Sequence, residues 1–116
     1  MQRAVECLAD ADASAHRCSW NNCVNRLYYT CFYAVSALLL RDGLASAKHT
    51  GVRSLFNERF VRTGIVAQDL GILYNDLFRD RQEADYADLI DFNEQQVLPL
   101  IAEVRQFVAS IELLLS

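Results

Sequence analysis

The sequence has few of the residues that form tight turns: one proline and four glycines in 116 residues. A β-sandwich or barrel needs a turn about every 8 to 12 residues, and those turns draw heavily on Gly and Pro. The shortage therefore excludes such folds. What remains is a chain with 53% hydrophobic and 22% charged residues, the profile of a globular protein rather than a disordered one.

The N-terminus lacks a basic segment followed by an apolar stretch, so the sequence predicts no secretory signal. The most apolar run, residues 27–40, is too short to span a bilayer and contains three tyrosines. This run is typical of a buried core helix. We therefore expect a cytoplasmic protein that does not enter the membrane.

No CxxC pair occurs among the four cysteines. Without a secretory signal, these thiols are expected to stay reduced. We interpret them as small buried core side chains rather than zinc ligands, and we expect no metal and no cofactor. The four are Cys7, Cys18, Cys23 and Cys31.

Positive charge is in the minority, with 11 basic and 15 acidic residues and a net charge of −4. This balance weighs against binding of the whole surface to nucleic acid or to an anionic membrane. Charge is also segregated, because residues 41–62 carry a local +3 and residues 69–94 a local −6. Two interpretations stay open: the segments attract each other, or the basic segment contacts a phosphate backbone.

Apolar residues recur at three- and four-residue spacing almost throughout, which predicts helices. Five segments are indicated, at about residues 2–16, 20–41, 46–63, 66–81 and 91–115. Ser46 is the expected N-cap of the third. For the fifth, one prediction is a capping box of Asp91 with Glu94 and a kink at Pro99, and the alternative is a helix that restarts at Pro99. The sequence thus predicts one all-α domain, a five-helix bundle over residues 1–116.

Polar residues interrupt the second segment on a single face. Asn22, Arg26, Tyr29 and Tyr33 follow one another by four, three and four residues, so a helix places them side by side. An arginine among aromatic residues needs a carboxylate partner or a water-filled cleft. Two alternatives follow: a structural ion pair at the edge of the core, or a groove that binds an anion or a base.

The end of the fourth segment carries a second polar cluster. Arg81 falls on the same stripe as the apolar residues Leu70, Leu73 and Leu77. Asp85 follows four residues later, so an Arg81–Asp85 ion pair is expected if the helix continues that far.

Four short motifs resemble the HEPN (higher eukaryotes and prokaryotes nucleotide-binding) family, and in particular its small stand-alone prokaryotic members. They are NRLYY at 25–29, KHTGV at 48–52, FVRTG at 60–64 and RQEADY at 81–86. The resemblance implies an up-and-down helical bundle that forms a homodimer. It also implies a minimal nucleotidyltransferase as partner, in a toxin–antitoxin-like pair.

Active members of that family cleave RNA without metal, using Arg, four residues, His, any residue and Tyr. In this chain Arg79 and Tyr86 occupy the outer positions, but Ala84 replaces the histidine. Alanine cannot transfer protons at a ribose hydroxyl, and nothing in the sequence places His49 beside Arg79. We therefore expect a non-catalytic protein with no confident catalytic residue.

The predicted function is thus a HEPN subunit that dimerises, binds a nucleotidyltransferase and helps to bind nucleotide or substrate. The alternatives are a metal-independent RNase toxin, which would bind RNA, and a purely scaffolding helical dimer. Seven residues are candidates for contact with nucleotide or partner: Asn25, Arg26, Tyr29, Arg79, Arg81, Asp85 and Tyr86.

Overall fold

The computed structural model describes residues 1–86 and 91–116, with the side chains of residues 82–86 outside the description. Within those ranges the chain forms five α-helices and no strand, which confirms the predicted all-α bundle. The helices are α1 (Gln2–His16), α2 (Trp20–Arg41), α3 (His49–Phe56), α4 (Gln68–Tyr86) and α5 (Glu94–Leu115). A π-helical turn, Asn57–Val61, extends α3.

The central element is α2, which contacts each of the other four helices. Its Leu27, Cys31, Val35 and Leu38 side chains are fully buried at the three- and four-residue spacing that predicted the helix. By length and composition α2 could also cross a membrane, but more than half of its apolar window is covered by the other helices. Its end is marked by Gly43, whose φ of +74° suits glycine.

Buried aromatic rings join the helices around α2. Phe56 of α3 lies 5.6 Å from Tyr74 of α4 and 6.0 Å from Phe107 of α5, measured between ring centroids. Tyr74 in turn stacks against Tyr28 of α2 at 6.1 Å. These offset and edge-to-face contacts connect α2, α3, α4 and α5 through a single aromatic cluster.

The expected start of the third helix was wrong. It begins at His49 rather than after Ser46, because the Ser46 hydroxyl accepts a hydrogen bond from the Lys48 backbone N–H at 3.2 Å in a local turn. The turn Asn57–Val61 then approaches α4 closely. A Cβ atom on Gly71 would lie only 2.9 Å from Cγ1 of Val61, so glycine is needed at this contact.

The expected capping box of the last helix was also wrong. Asn93, in extended conformation, is the N-cap of α5: its side chain accepts from the Gln96 backbone N–H, and the Gln96 side chain accepts from the Asn93 N–H, both at 3.0 Å. Asp91 instead accepts from the Asn21 side-chain amide at 3.3 Å, which ties the start of α5 to α2. Pro99 lies inside a continuous α5.

Three of the four cysteines are buried as expected, but Cys18 is exposed. It occupies the connection between α1 and α2 with a φ of +56°, in the left-handed region. Burial raises the pKa of Cys23 to about 11, so that thiol remains protonated at neutral pH. The α1–α2 turn thus brings Cys18 to the surface at a position where the helical pattern has already ended.

Candidate functional site

An open pocket of about 640 Å³ lies where α1, α2 and the last turns of α4 meet. The pocket is lined by Arg3, Glu6, Cys7 and Asp10 of α1, by Asn25, Arg26, Tyr29 and Tyr33 of α2, and by Arg81 of α4. Arg26, Tyr29 and Tyr33 of the predicted α2 face line the pocket together with Asn25. Asn22, the fourth residue of that predicted face, instead donates a hydrogen bond to the Ser14 hydroxyl at 2.7 Å. α1 and α4 pack against that face and form the other walls of the pocket.

Each arginine in the pocket lies over a tyrosine ring. The Arg3 guanidinium carbon lies 5.5 Å from the ring centroid of Tyr33, and the Arg26 carbon lies 5.1 Å from that of Tyr29. Arg81 approaches the same Tyr29 ring at 5.3 Å. Cation–π contacts of this kind hold a guanidinium group against the face of an aromatic ring.

The partner of Arg26 on the α2 face is a neutral side chain. Its Nε and Nη2 donate hydrogen bonds to the side-chain oxygen of Asn25, at 3.1 and 2.6 Å. Among the described residues, no carboxylate lies within salt-bridge distance of Arg26. The neutral Asn25 amide thus holds the guanidinium without cancelling its charge.

His49 is the feature of this region that sequence reasoning missed. Its ring stacks on Phe32 with centroids 4.2 Å apart, and its Nδ1 lies 2.7 Å from the Tyr28 hydroxyl. Arg81 lies over the other side of this cluster, 5.2 Å from the Tyr28 ring centroid. The structure therefore brings a histidine and an arginine close together, although the linear motif that would contain both lacks its histidine.

Burial and the neighbouring Arg81 charge both lower the pKa of His49 from 6.5. Burial also raises the pKa of Tyr28 to about 12, partly offset by Arg81. At neutral pH both side chains are therefore uncharged. The His49 tautomer with its proton on Nε2 lets Nδ1 accept from the Tyr28 hydroxyl.

The other three predicted site residues are Arg79, Asp85 and Tyr86. Arg79 does not line the pocket; it forms ion pairs with Asp76 at 3.5 Å and Asp80 at 3.6 Å, and its side chain is 62% exposed. Two residues of α-helix correspond to a rotation of about 200°, which is why Arg79 and Arg81 face different sides of α4. The side chains of Asp85 and Tyr86 lie outside the described residues.

Comparison with known proteins identifies the family. The model of the HEPN domain matches residues 1–114, almost the entire chain. The chain belongs to the HEPN family. The HEPN relatives include a UPF0332 protein of Thermotoga maritima, 44% identical over 114 residues that cover 98% of this chain and 86% of the relative.

Two further relatives come from Methanocaldococcus jannaschii, and their names refer to toxins. The protein named "Putative toxin MJ0605" is 30% identical over 117 residues, covering 97% of this chain and 86% of the relative. The protein named "Putative toxin MJ0142" is 36% identical over 73 residues, covering 63% of this chain and 50% of the relative. This HEPN chain is therefore similar to proteins considered as toxins.

Four of the seven predicted candidates line the HEPN pocket: Asn25, Arg26, Tyr29 and Arg81. The α1 residues were missed because no local signal in α1 distinguishes a pocket wall from a solvated helix face. His49 was missed for the same reason, since its neighbours on α2 are about twenty residues away in sequence. An aromatic stripe on α2 beside the single histidine of the KHTGV motif was the only available clue.

The depressed pKa of His49 predicts a pH dependence of stability. The unfolded chain binds a proton at His49 near pH 6.5, whereas the folded chain binds it only at lower pH, so the free energy of unfolding should fall as pH drops below 6.5. Thermal unfolding between pH 5 and 7 should show a steeper loss for the wild type than for His49→Gln. A His49 resonance that titrates at or above 6.5 would contradict this prediction.

Proposed function

We propose that this HEPN protein binds a nucleotide in the arginine–tyrosine pocket without cleaving RNA. The observation that carries the proposal is the alignment of Arg3, Arg26 and Arg81 over tyrosine rings in one open pocket. Guanidinium groups suit phosphate oxygens because their N–H donors match that geometry. Half-buried tyrosine rings suit a nucleobase, because every base has a π face that can contact an aromatic side chain.

The pocket residues and the family resemblance together support a non-catalytic role. Ala84 stands where active HEPN ribonucleases have the proton-transferring histidine, and alanine cannot perform that step. We further propose that the protein acts in the cytoplasm as a homodimer. There it would pair with a minimal nucleotidyltransferase and contribute nucleotide or substrate binding to a toxin–antitoxin-like system. The toxin names of the M. jannaschii relatives support that setting.

Substitution of the two neighbouring arginines of α4 tests nucleotide binding. Arg81→Gln should weaken the binding of adenosine monophosphate (AMP) by about tenfold or more, because a charge-assisted hydrogen bond to phosphate is lost. Arg79→Gln is the matched control, since it removes the same charge two residues away and outside the pocket. Titration calorimetry on both variants, with circular dichroism as the folding check, provides the measurement. Equal AMP affinities of the two variants would contradict the proposal that this pocket binds the nucleotide.

Affinity purification from the native cells tests the partnership. A tagged copy of this chain should copurify with a small nucleotidyltransferase in near-equal amount, and native mass spectrometry of the purified protein should show a dimer. If the tagged protein is recovered alone as a dimer, with its intact mass unchanged, the result would favour a purely scaffolding helical dimer. If it is recovered as a monomer, the result would contradict both the homodimer that pairs with a nucleotidyltransferase and the scaffolding dimer.

A metal-independent RNase is the second candidate, and the position of His49 favours it. His49 supplies an imidazole close to Arg81 although the motif histidine is missing. If this candidate is right, expression should arrest growth, and His49→Gln should abolish both the arrest and RNA cleavage. His16→Gln, the other histidine substitution, should leave both unchanged. Harmless expression of the wild type at high level would exclude this activity and favour the non-catalytic proposal.

A further inference from the structure

A second open pocket, of about 590 Å³, lies between α3, the π-helical turn and α4. It shares no lining residue with the arginine–tyrosine pocket. The π-helical turn is the only one in the part of the chain that the structure describes, and single turns of this kind occur often at functional sites. The described lining residues are Arg53 and Ser54 of α3, Asn57, Glu58 and Val61 of the turn, Arg62 after it and Asn75 of α4.

The charges of the second pocket are not paired with one another. Within the described ranges, neither Arg53 nor Arg62 forms an ion pair, and neither does Glu58, the only carboxylate among the described lining residues. In the same ranges no ion pair joins the basic segment 41–62 to the acidic segment 69–94. Two arginines against one glutamate leave the lining with an excess of one positive charge.

An aromatic ring holds Arg53 in position. Its guanidinium carbon lies 4.2 Å from the ring centroid of Phe78, a buried side chain of α4. On the same helix, the side-chain oxygen of Asn75 accepts a hydrogen bond from the Asn57 amide at 3.2 Å, which leaves the amide N–H groups of Asn75 as further donors. The Ser54 hydroxyl adds one more. Guanidinium, amide and hydroxyl groups are the side-chain groups with which proteins contact phosphate oxygens.

Helix α3 leads from the arginine–tyrosine pocket to the second pocket. Its first residue, His49, packs edge-to-face against Tyr29, which lines the arginine–tyrosine pocket, with ring centroids 5.8 Å apart. Arg53 lies four residues further along, so the two side chains lie on the same face of α3, about one helical turn apart. Because Arg53 lines the second pocket, a chain of only a few nucleotides that follows this face spans both pockets.

We propose that the second pocket binds a backbone phosphate of a single-stranded nucleic acid that extends from the arginine–tyrosine pocket. This inference rests on the proposed nucleotide binding and makes the ligand of that pocket part of a strand rather than a free nucleotide. Arg53 and Arg62 donate to the phosphate oxygens, and the excess of one positive charge matches a phosphodiester, which carries one negative charge. Because these contacts reach only the backbone, they hold the strand without reading its sequence.

Comparison of AMP with a short oligoadenylate, of about five nucleotides, tests the inference. The wild type should bind the oligoadenylate about tenfold more tightly than AMP, because the strand adds charge-assisted hydrogen bonds in the second pocket. Arg53→Gln and Arg62→Gln should each reduce that ratio towards one. Arg59→Gln is the matched control, since it removes the same charge from the π-helical turn but outside the pocket.

Removal of the pocket carboxylate should have the opposite effect. Glu58→Gln takes a negative charge out of the lining, so the oligoadenylate should bind about threefold more tightly than it binds the wild type. An unchanged or lower affinity would contradict a phosphate at this place. Circular dichroism checks the folding of each variant, and Arg62 has no aromatic contact among the described residues, so Arg62→Gln tests the pocket even if Arg53→Gln disturbs the packing on Phe78.

The outcomes separate this inference from the proposed function. Equal affinity of the wild type for AMP and the oligoadenylate would overturn strand binding while leaving nucleotide binding intact. A ratio that persists in Arg53→Gln and Arg62→Gln, or that falls equally in Arg59→Gln, would overturn the role of the second pocket. Failure of the wild type to bind either ligand would overturn both proposals.

Substitution in the arginine–tyrosine pocket tests whether one strand occupies both pockets. Arg26→Gln should weaken the binding of AMP and of the oligoadenylate alike. Weakened binding of AMP alone would overturn the continuous path along α3. A wild-type dimer that binds no strand and dissociates in Arg62→Gln would overturn the inference and assign the second pocket to contact with another copy of this chain.

Discussion

The contacts of Tyr28 connect the core of the bundle to the pocket. Its fully buried ring stacks on Tyr74 in the interior, while its hydroxyl bonds Nδ1 of His49 at the start of α3. A buried hydroxyl without a partner would cost about 1–3 kcal/mol, so the His49 bond makes this burial tolerable. The outer side of the same ring carries the Arg81 guanidinium. One side chain therefore fixes the position of α3, of α4 and of a pocket arginine.

Aromatic packing also explains how an acidic protein gathers several arginines in one pocket. The net charge of −4 describes the whole surface, whereas the local field depends on which charges are held close together. Arg26 and Arg81 share the Tyr29 ring from two helices, and Arg26 is fixed further by a neutral amide. Shared aromatic contacts thus hold arginines from two helices near one another, so the overall composition gives no sign of the site.

The extent to which the sequence predicts this structure follows from the range of the interactions involved. The bounds of α1 and α2 were predicted correctly, because helical periodicity is local. For the same reason Arg26, Tyr29 and Tyr33 of the predicted polar face line one pocket, although Asn22 does not. The starts of α3 and α5 were wrong because nearby side chains compete for the same backbone groups. Ser46 accepts in a turn, and Asn93 rather than Asp91 reaches the free N–H groups.

The missed parts of the site depend on contacts between distant segments. Arg3, Glu6 and Asp10 belong to the pocket only because α1 packs along α2, and His49 meets Tyr28 only because α3 begins beside Phe32. Periodicity assigns each residue to a face of its own helix but does not say which faces meet. The prediction therefore found the pocket residues of α2 and Arg81 of α4, but not those of α1.

The separation of Arg79 from Arg81 bears on what this HEPN chain can do. The arginine that matches the ribonuclease motif lies among acidic residues on the solvent side of α4, whereas the arginine of the pocket is two residues further on. The pocket arginine and the arginine of the linear motif thus belong to different faces of one helix. Cleavage would then have to use His49, whose Nδ1 is already engaged by Tyr28, so that only Nε2 remains to transfer a proton. With its proton on Nε2 the ring can donate to a leaving oxygen, and with its proton on Nδ1 it can accept from an attacking hydroxyl. The contact with Tyr28 therefore leaves one ring nitrogen of His49 for any proton transfer, and the tautomer decides its direction.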